Sequence, residues 1–329
     1  MNENLKVSIL VPVYKAEKFI VRCAKSLFEQ IYCNLEIIFV DDCSPDGSVE
    51  LIKSTLNSYP ERQGQVKIVH HEKNKGVAAA RNTLLANATG DYVLWVDADD
   101  FIDKRATEIL IASAVESNAD IVCFGAAYFY DNGIVKLARR TKEETPESFI
   151  VDLLSNRTTT SVWGRLMRRS LFLDNDILFI EGLNLGEDFL VMLKVAYYSK
   201  AISMVEDILY YYNASNEQSI VHSYSEQKAD TELRVLDLID VFLKGKFDVA
   251  QYIEERRFGL NLYKLYCSCL KGDKQEYKVL KAYFKKTELP EYNFGKKKAY
   301  VFFLFCNSFF LSRIWSYMMK FVKYIVHHK

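Results

Sequence analysis

The chain has 329 residues, of which 50% are hydrophobic and 26% charged, a composition typical of a globular protein with a sizeable core. Lys and Arg together number 43, as do Asp and Glu, and this neutral balance argues against nucleic-acid binding as the main activity. The seven cysteines form no CxxC pair and no cluster of zinc-site spacing, which indicates reduced thiols in a cytosolic protein.

The first 124 residues alternate apolar runs typical of strands with amphipathic segments typical of helices. The predicted strands lie at 6–13, 36–40, 66–69, 92–96 and from 121, and the predicted helices at 16–30, 48–59, 77–88 and from 103. Continuous apolar strands that are each followed by a helix predict a mostly parallel sheet with helices on both faces. Ligands of such sheets bind beyond the carboxyl ends of the strands, so polar residues there are the candidates for chemistry.

An acidic run, Asp97-Ala98-Asp99-Asp100, directly follows the strand at 92–96. Three carboxylates at one strand end repel one another, and a divalent cation such as Mg²⁺ or Mn²⁺ would offset their charge. A solvated loop whose Asp residues cap the next helix is an equally open interpretation, with Asp100 and Asp103 as the better caps.

A second acidic pair, Asp41-Asp42, follows the strand at 36–40. A carboxylate there could accept a hydrogen bond from a uracil N–H or a ribose hydroxyl, and a local Asx-type turn is the alternative. The first strand ends without a glycine-rich phosphate loop, and residues 1–130 contain neither GxGxxG nor GxxxxGK[ST]. That absence argues against a dinucleotide oxidoreductase and a P-loop NTPase.

Four segments, in this order and spacing, resemble the family-2 glycosyltransferases of the GT-A fold. They are VSILVPVYKAEKFI (7–20), EIIFVDDCSPDGS (36–48), NKGVAAARN (74–82) and DYVLWVDADD (91–100). The resemblance implies a Rossmann-like α/β fold and transfer of a sugar from a nucleotide-sugar, with UDP preferred. A change to helical, charged composition near residue 225 divides the chain into a GT-A domain at 1–224 and a helical region at 225–329. The donor-binding residues implied by the resemblance are Pro12, Val13, Tyr14, Glu17, Asp41 and Asp42.

The same resemblance assigns the metal and the diphosphate. It maps the DxD motif onto Asp97 and Asp99, with Asp99 as the ligand of Mn²⁺ or Mg²⁺ and Asp97 nearer the ribose. It places Arg81 facing the diphosphate or the acidic loop, and a salt bridge that only holds this loop is the alternative. The metal would act as a Lewis acid on the departing diphosphate.

The catalytic base is expected at the start of a predicted helix at 188–199. Glu187 and Asp188 begin this helix, and plain capping is one explanation, because the helix macrodipole favours acidic residues there. The resemblance implies instead that Asp188 is the base of an inverting transfer and that Glu187 contacts the acceptor or donor sugar. It also places Trp163 and Arg165 on the acceptor side. Asn213 departs from the arginine that is common at its position.

Two other functions are open to a chain of this kind. A sugar nucleotidyltransferase should carry a Gly-rich loop with Arg and Lys after the first strand, where this chain has VPVYKAEKF. A non-catalytic nucleotide-sugar-binding or scaffold protein of the same fold would not need the carboxylates Asp42, Asp97, Asp99 and Asp188.

The last 36 residues, 294–329, contain seven basic residues and no acidic one. The 14 residues between Lys298 and Arg313 are too few to span a bilayer, which takes about 20. The pattern favours a helix in an anionic membrane interface, with packing on its own domain or another subunit as the alternative. With no secretory signal recognised, we expect a cytoplasmic protein that contacts the inner face of the cytoplasmic membrane through 296–329. Its acceptor would be a saccharide or a lipid-linked saccharide.

Overall fold

The computed structural model describes residues 5–130, 133, 135–138, 145–183, 185–216, 226–286, 306 and 308–316. The chain divides into two compact units, residues 1–222 and 223–329. The first unit is built around a sheet of nine strands, and the described part of the second is helical.

Four parallel strands form the first half of the sheet. In chain order the elements are β1 (Val7–Val13), α1 (Ile20–Phe28), β2 (Leu35–Asp41), α2 (Ser48–Leu56), a 3₁₀ helix (Pro60–Gln65), β3 (Val66–His70), α3 (Val77–Asn87) and β4 (Tyr92–Trp95). The strands lie in the order β3-β2-β1-β4, and every neighbouring pair is parallel. The predicted strand–helix alternation is therefore confirmed over this part of the chain.

Helices cover both faces of these strands. Alternate residues of β1, namely Val7, Ile9, Val11 and Val13, pack in one core cluster with the buried face of α1. Helix α3 contacts β1 and β2, and its buried residues lie outside that cluster. Since successive side chains of a strand point to opposite faces, α1 and α3 cover opposite sides of the sheet.

The second half of the sheet is mixed. Its elements are β5 (Phe101–Ile102), α4 (Ala106–Ser117), β6 (Ile121–Phe129), β7 (Val135–Ala138), α5 (Pro146–Leu154), β8 (Arg165–Arg168), α6 (Ser170–Asp174), α7 (Glu187–Tyr198) and β9 (Ile202–Asn213). The order continues β4-β8-β6-β9-β5, with β7 on β6. Strand β8 is antiparallel to both of its neighbours, whereas β9 is parallel to β6. The α/β fold class is confirmed, and the antiparallel pairs are confined to strands beyond β4.

Strand β1 loses one neighbour near its carboxyl end. Its last residue in register with β4 is Leu10, whereas its pairing with β2 continues to Val13. Pro12 has no amide hydrogen, and it lies where β1 is in register with β2 alone, so no ladder bond to β4 is lost. The chain after β4 is thereby released from the sheet as a loop.

The described part of the second unit consists of packed helices. These are α8 (Glu226–Leu243), α9 (Ala250–Lys271), α10 (Lys274–Lys286) and a short helix at residues 309–316, here α11. The ammonium of Lys264 on α9 lies 2.7 Å from Asp230 on α8 and 3.2 Å from Glu276 on α10, which ties three helices together. None of the helices in the described ranges is long and apolar enough to cross a membrane.

Candidate active site

Two acidic loops lie at the same edge of the sheet. Asp41 ends β2 and is in register with Val13, the last residue of β1. The loop that begins at Asp97 follows β4, on the other side of β1. The carboxyl ends of three neighbouring parallel strands therefore place both acidic segments around the end of β1, where ligands of such sheets bind.

Arg81 on α3 joins this edge to the start of α7. Its guanidinium is buried, and Nη1 donates to Glu187 Oε1 at 2.8 Å and to Asp188 Oδ1 at 2.5 Å. Nη2 lies 3.5 Å from Asp97 Oδ1. Burial disfavours the charged form of Arg81, but the carboxylates around it outweigh that effect and hold its pKa above the ordinary value. One cation thus holds three carboxylates from two distant parts of the chain.

Asp188 has the protonation behaviour of a general base. Burial, followed by the charges of Glu187 and Asp97, raises the pKa of Asp188 to about 7, although Arg81 acts in the opposite direction. Its second oxygen accepts a hydrogen bond from the Val162 amide at 3.3 Å. A carboxylate whose pKa is near the working pH is suited to take a proton from a hydroxyl.

The acidic loop after β4 is only partly neutralised. Burial and then the charge of Asp99 raise the pKa of Asp97, while Arg81 lowers it. Asp99 Oδ2 accepts a hydrogen bond from the Asn216 amide group at 2.8 Å. Carboxylates that repel one another are a donor set that a hard divalent cation stabilises, so these residues fit Mn²⁺ or Mg²⁺.

No cluster of three or more His, Cys, Asp or Glu side chains in the described part of the chain forms a ready metal site. The protein would therefore supply only part of the coordination shell, as it does for ions that also bind substrate phosphates.

Asp100 is buried at 0% exposure and has a different task from the one predicted. It accepts hydrogen bonds from the Tyr210 hydroxyl at 2.6 Å and from the Asn213 amide at 2.7 Å, both on β9. Burial, followed by the charges of Asp99 and Asp97, raises its pKa well above the ordinary value. The prediction of Asp100 as a helix cap is wrong, because its carboxylate fastens the acidic loop to β9.

Asp42 is more constrained than the sequence suggests. It is buried, and its two oxygens accept the amides of Lys75 at 2.9 Å and Gly76 at 2.8 Å and contact His71 Nδ1 at 2.7 Å. A carboxylate has about four acceptor positions, so about one remains for a nucleotide. Sequence analysis missed His71 and this loop. The signal was Gly76, whose φ of 88° at the start of α3 requires a residue without a Cβ.

Asp41 makes the turn that was considered for its neighbour. Its Oδ1 accepts the Ser44 amide at 2.9 Å, and its Oδ2 lies 3.1 Å from His70 Nδ1. The Asx-type alternative thus applies to Asp41 rather than to Asp42. Both side chains help to shape the loop in which a donor would bind.

The end of β1 offers one exposed aromatic ring. Tyr14 is 45% exposed, whereas Val13 is buried in the core, so only the backbone of Val13 is available to a ligand. Pro12 precedes them in β1. The Glu17 amide donates to Asp46 Oδ2 at 3.1 Å, and this fixes the start of the next turn.

The acceptor-side prediction fails for Arg165 in its direct form. Arg165 is fully buried, and its guanidinium donates to the carbonyls of Ser161, Thr159 and Trp163. It therefore holds the segment that carries the Val162 amide, and it does not reach an acceptor. Trp163 is also nearly buried and stacks on Tyr210 with ring centroids 4.9 Å apart.

Comparison with known proteins identifies the family. The sequence model described as glycosyl transferase family 2 matches residues 8–175, which is about half of the chain. The chain belongs to the family-2 glycosyltransferases.

Relatives in this family differ in length. EpsH of Bacillus subtilis is 28% identical over 80% of this chain and 77% of its own length. The poly(ribitol-phosphate) beta-N-acetylglucosaminyltransferase TarS of Staphylococcus aureus is 31% identical over 65% of this chain, and the match spans only 36% of TarS.

Solved structures support the fold. TarS residues 1–349 in complex with UDP-GlcNAc superpose with a TM-score of 0.65 at 24% identity, covering 85% of this chain and 81% of that one. A mannosyltransferase of Pyrobaculum calidifontis in complex with GDP-Man and Mn²⁺ has a TM-score of 0.58 at 18% identity, covering 95% and 87%. The predicted GT-A fold is confirmed.

Proposed function

We propose that this glycosyltransferase is metal-dependent and inverting, and that it moves a sugar from a UDP-sugar onto a hydroxyl of a saccharide or lipid-linked saccharide. The observation that carries the proposal is the Arg81 contact set, which joins Asp97 at the end of β4 to Glu187 and Asp188 at the start of α7. The products would be surface polysaccharides or glycolipids. We assign the chemistry to residues 1–224 and treat 225–329 as a helical extension, because each proposed site residue lies in the first part.

The donor would bind between the two acidic loops. Tyr14 presents an exposed ring on which a nucleobase can stack, and Asp42 keeps acceptor capacity for a base or ribose N–H or O–H group. UDP is preferred because the relative TarS has been crystallised with UDP and with UDP-GlcNAc. The polymer named in its title, poly(ribitol-phosphate), supports a surface-polymer acceptor of the same general kind.

The cation would be held by Asp99, with Asp97 close to the ribose. A bound Mn²⁺ or Mg²⁺ would supply Lewis-acid stabilisation of the departing diphosphate. Arg81 faces Asp97 rather than solvent, so the alternative of a salt bridge within the acidic site describes its contacts. We propose that it keeps Asp97 and Asp188 at a fixed separation.

The transfer step would be a direct displacement. Asp188 would take the proton of the acceptor hydroxyl while the hydroxyl oxygen forms a bond to the anomeric carbon. The bond from that carbon to the diphosphate oxygen breaks, and the electron pair leaves with the diphosphate. Attack from the face opposite the leaving group inverts the anomeric configuration, as in inverting glycosidases. Glu187 would contact the acceptor or the donor sugar.

The decisive experiment combines donor binding with turnover. Nucleotide-sugars are screened for metal-dependent transfer or hydrolysis, and UDP affinity is measured by calorimetry with and without Mn²⁺. Asp188→Asn should lower turnover by about 10²–10⁴-fold and leave UDP affinity unchanged, because a general base acts only in the chemical step. Asp174→Asn, at an exposed carboxylate on α6, is the matched control.

Full turnover in Asp188→Asn would remove the base from the mechanism. UDP binding without turnover of any donor would instead indicate a nucleotide-sugar-binding protein of the same fold.

A further inference from the structure

Helix α11 buries its small polar residues and exposes its large apolar ones. Ser312 and Ser316 have 0% exposure, whereas Phe310, Leu311 and Ile314 are 70%, 52% and 44% exposed. A helix that packs only on its own domain has the opposite distribution, because burial of apolar surface is the main favourable term in packing. The outward face of α11 is therefore unexplained by the fold of the second unit.

The orientation of α11 is fixed by contacts on its inward face. The Ser316 hydroxyl donates to the Ser312 carbonyl at 2.9 Å, and the Ser312 hydroxyl lies 3.4 Å from the hydroxyl of Tyr277 on α10. The Phe309 ring packs edge-on against Tyr277 with centroids 5.1 Å apart, and Trp315 packs on the same core. Because these residues recur at helical spacing, the apolar residues on the other face cannot turn inward without breaking them.

The sequence around α11 carries charge of one sign. Residues 294–329 contain no Asp or Glu, and Arg313 is exposed on α11 itself. The basic residues of this stretch are Lys296, Lys297, Lys298, Arg313, Lys320, Lys323 and Lys329, of which only Arg313 lies within the described residues. A second copy of the chain would bring like charges together across a symmetric contact, which is unfavourable. An anionic lipid surface offers the opposite charge together with an apolar layer.

We propose that α11 is a membrane-contact helix. Phe310, Leu311 and Ile314 enter the boundary between headgroups and acyl chains of an anionic bilayer, and Arg313 binds headgroup phosphates. The prediction of membrane contact through 296–329 is thereby narrowed to one face of one helix. The contact itself is independent of catalysis, whereas its use in bringing the enzyme to a lipid-linked acceptor rests on the proposed function.

The test is co-sedimentation of the full chain with vesicles in the absence of donor and acceptor. The vesicles contain phosphatidylcholine alone or with phosphatidylglycerol at about 3:1. The wild-type chain should bind the phosphatidylglycerol vesicles more strongly, and added salt should weaken this binding because the charge contribution is screened. The triple variant F310S/L311S/I314S should bind at least about tenfold more weakly, since it loses most of the exposed apolar surface.

The matched control is V241S/V279S, which removes two other exposed apolar side chains of the same unit, at 76% and 64% exposure. It should bind vesicles like the wild type. Equal binding by the triple variant, or no binding by the wild-type chain, overturns the proposal. Loss of a dimer in the triple variant, seen by light scattering without vesicle binding by the wild type, would assign this face to self-association and also overturn it. UDP affinity of the same samples shows separately whether the transferase site is intact.

Discussion

The two acidic loops at the sheet edge resemble each other in sequence but differ in how their charge is held. The carboxylates of Asp41 and Asp42 contact three backbone amides and two histidines, all from neighbouring loops. The loop after β4 has one arginine near Asp97, and Arg81 also serves Glu187 and Asp188. The first loop is therefore neutralised locally by hydrogen bonds, while the second retains unrelieved repulsion.

This difference separates recognition from chemistry. A carboxylate fixed by backbone amides keeps one position and one charge state, which suits a contact to an invariant nucleotide. Carboxylates that repel one another gain from a cation, and the raised pKa of Asp188 shows that protons also bind there readily. We expect cation and proton concentration to affect the second loop far more than the first.

The largest expected effect is the loss of metal dependence in Asp99→Asn. Removal of this charge should cost several kcal/mol of transition-state stabilisation, or on the order of 10³-fold in turnover with saturating Mn²⁺. The comparison variant is Asp42→Asn, which should weaken UDP binding equally with and without Mn²⁺. The measurement is initial rate and UDP affinity across a Mn²⁺ titration. Unchanged Mn²⁺ stimulation in Asp99→Asn would contradict the contrast between the loops.

The second effect is a loss of stability in Arg81→Met. Three mostly buried carboxylates would lose their only shared cation, and removing one partner from a buried pair costs about 3–5 kcal/mol in unfolding free energy. Arg105→Met is the control, because the Arg105–Glu108 pair is exposed and worth at most about 1 kcal/mol. Urea unfolding measures both. Mn²⁺ should restore part of the stability of Arg81→Met, and failure to do so would count against cation binding at this loop.

Local patterns predicted the first half of the fold well. The strand expected at 36–40 is observed at Leu35–Asp41, because a continuous apolar run between polar turns is fixed by burial alone. Strand β8 was not predicted, since its sequence RLMR is short and half basic and its pairing with β4 and β6 depends on residues far along the chain. Periodicity contains no information on such non-local pairing.

The candidate site shows the same limit. The positions of the acidic residues follow from strand ends, and the sequence located them. The partners of Asp100 and Arg81 lie more than 100 residues away, on β9 and α7, so capping and diphosphate binding could not be decided from local spacing. Arg165 is a further case, because only its full burial shows that it holds backbone carbonyls rather than an acceptor.

The third effect is a pH dependence set by Asp188, whose pKa is raised to about 7. Only the ionised form accepts a proton, so turnover should fall about tenfold for each pH unit below 7. The sign for stability is the reverse. The folded state binds this proton more tightly than the unfolded state, so the contribution is complete below about pH 4 and is lost as the pH rises through 7.

Rate profiles and urea unfolding between pH 5 and 8 measure both dependences. Asp188→Asn should remove the stability difference, and an unchanged difference would assign it to another group. Asp174→Asn, at the exposed carboxylate on α6, should keep both profiles.

The smallest effect tests the locally neutralised loop through His71. Its ring is buried between Asp42 at 2.7 Å and the Thr83 hydroxyl at 2.9 Å. His71→Phe keeps most of the ring volume and removes both contacts, which should cost about 1–2 kcal/mol in unfolding free energy and weaken UDP binding several-fold. His70→Phe is the control, because that side chain is 50% exposed and should change stability by about 0.5 kcal/mol or less. Because the two backbone amides remain on Asp42, the loss of affinity should be the same at every Mn²⁺ concentration. A loss that appears only with Mn²⁺ would show that the two loops act as one site.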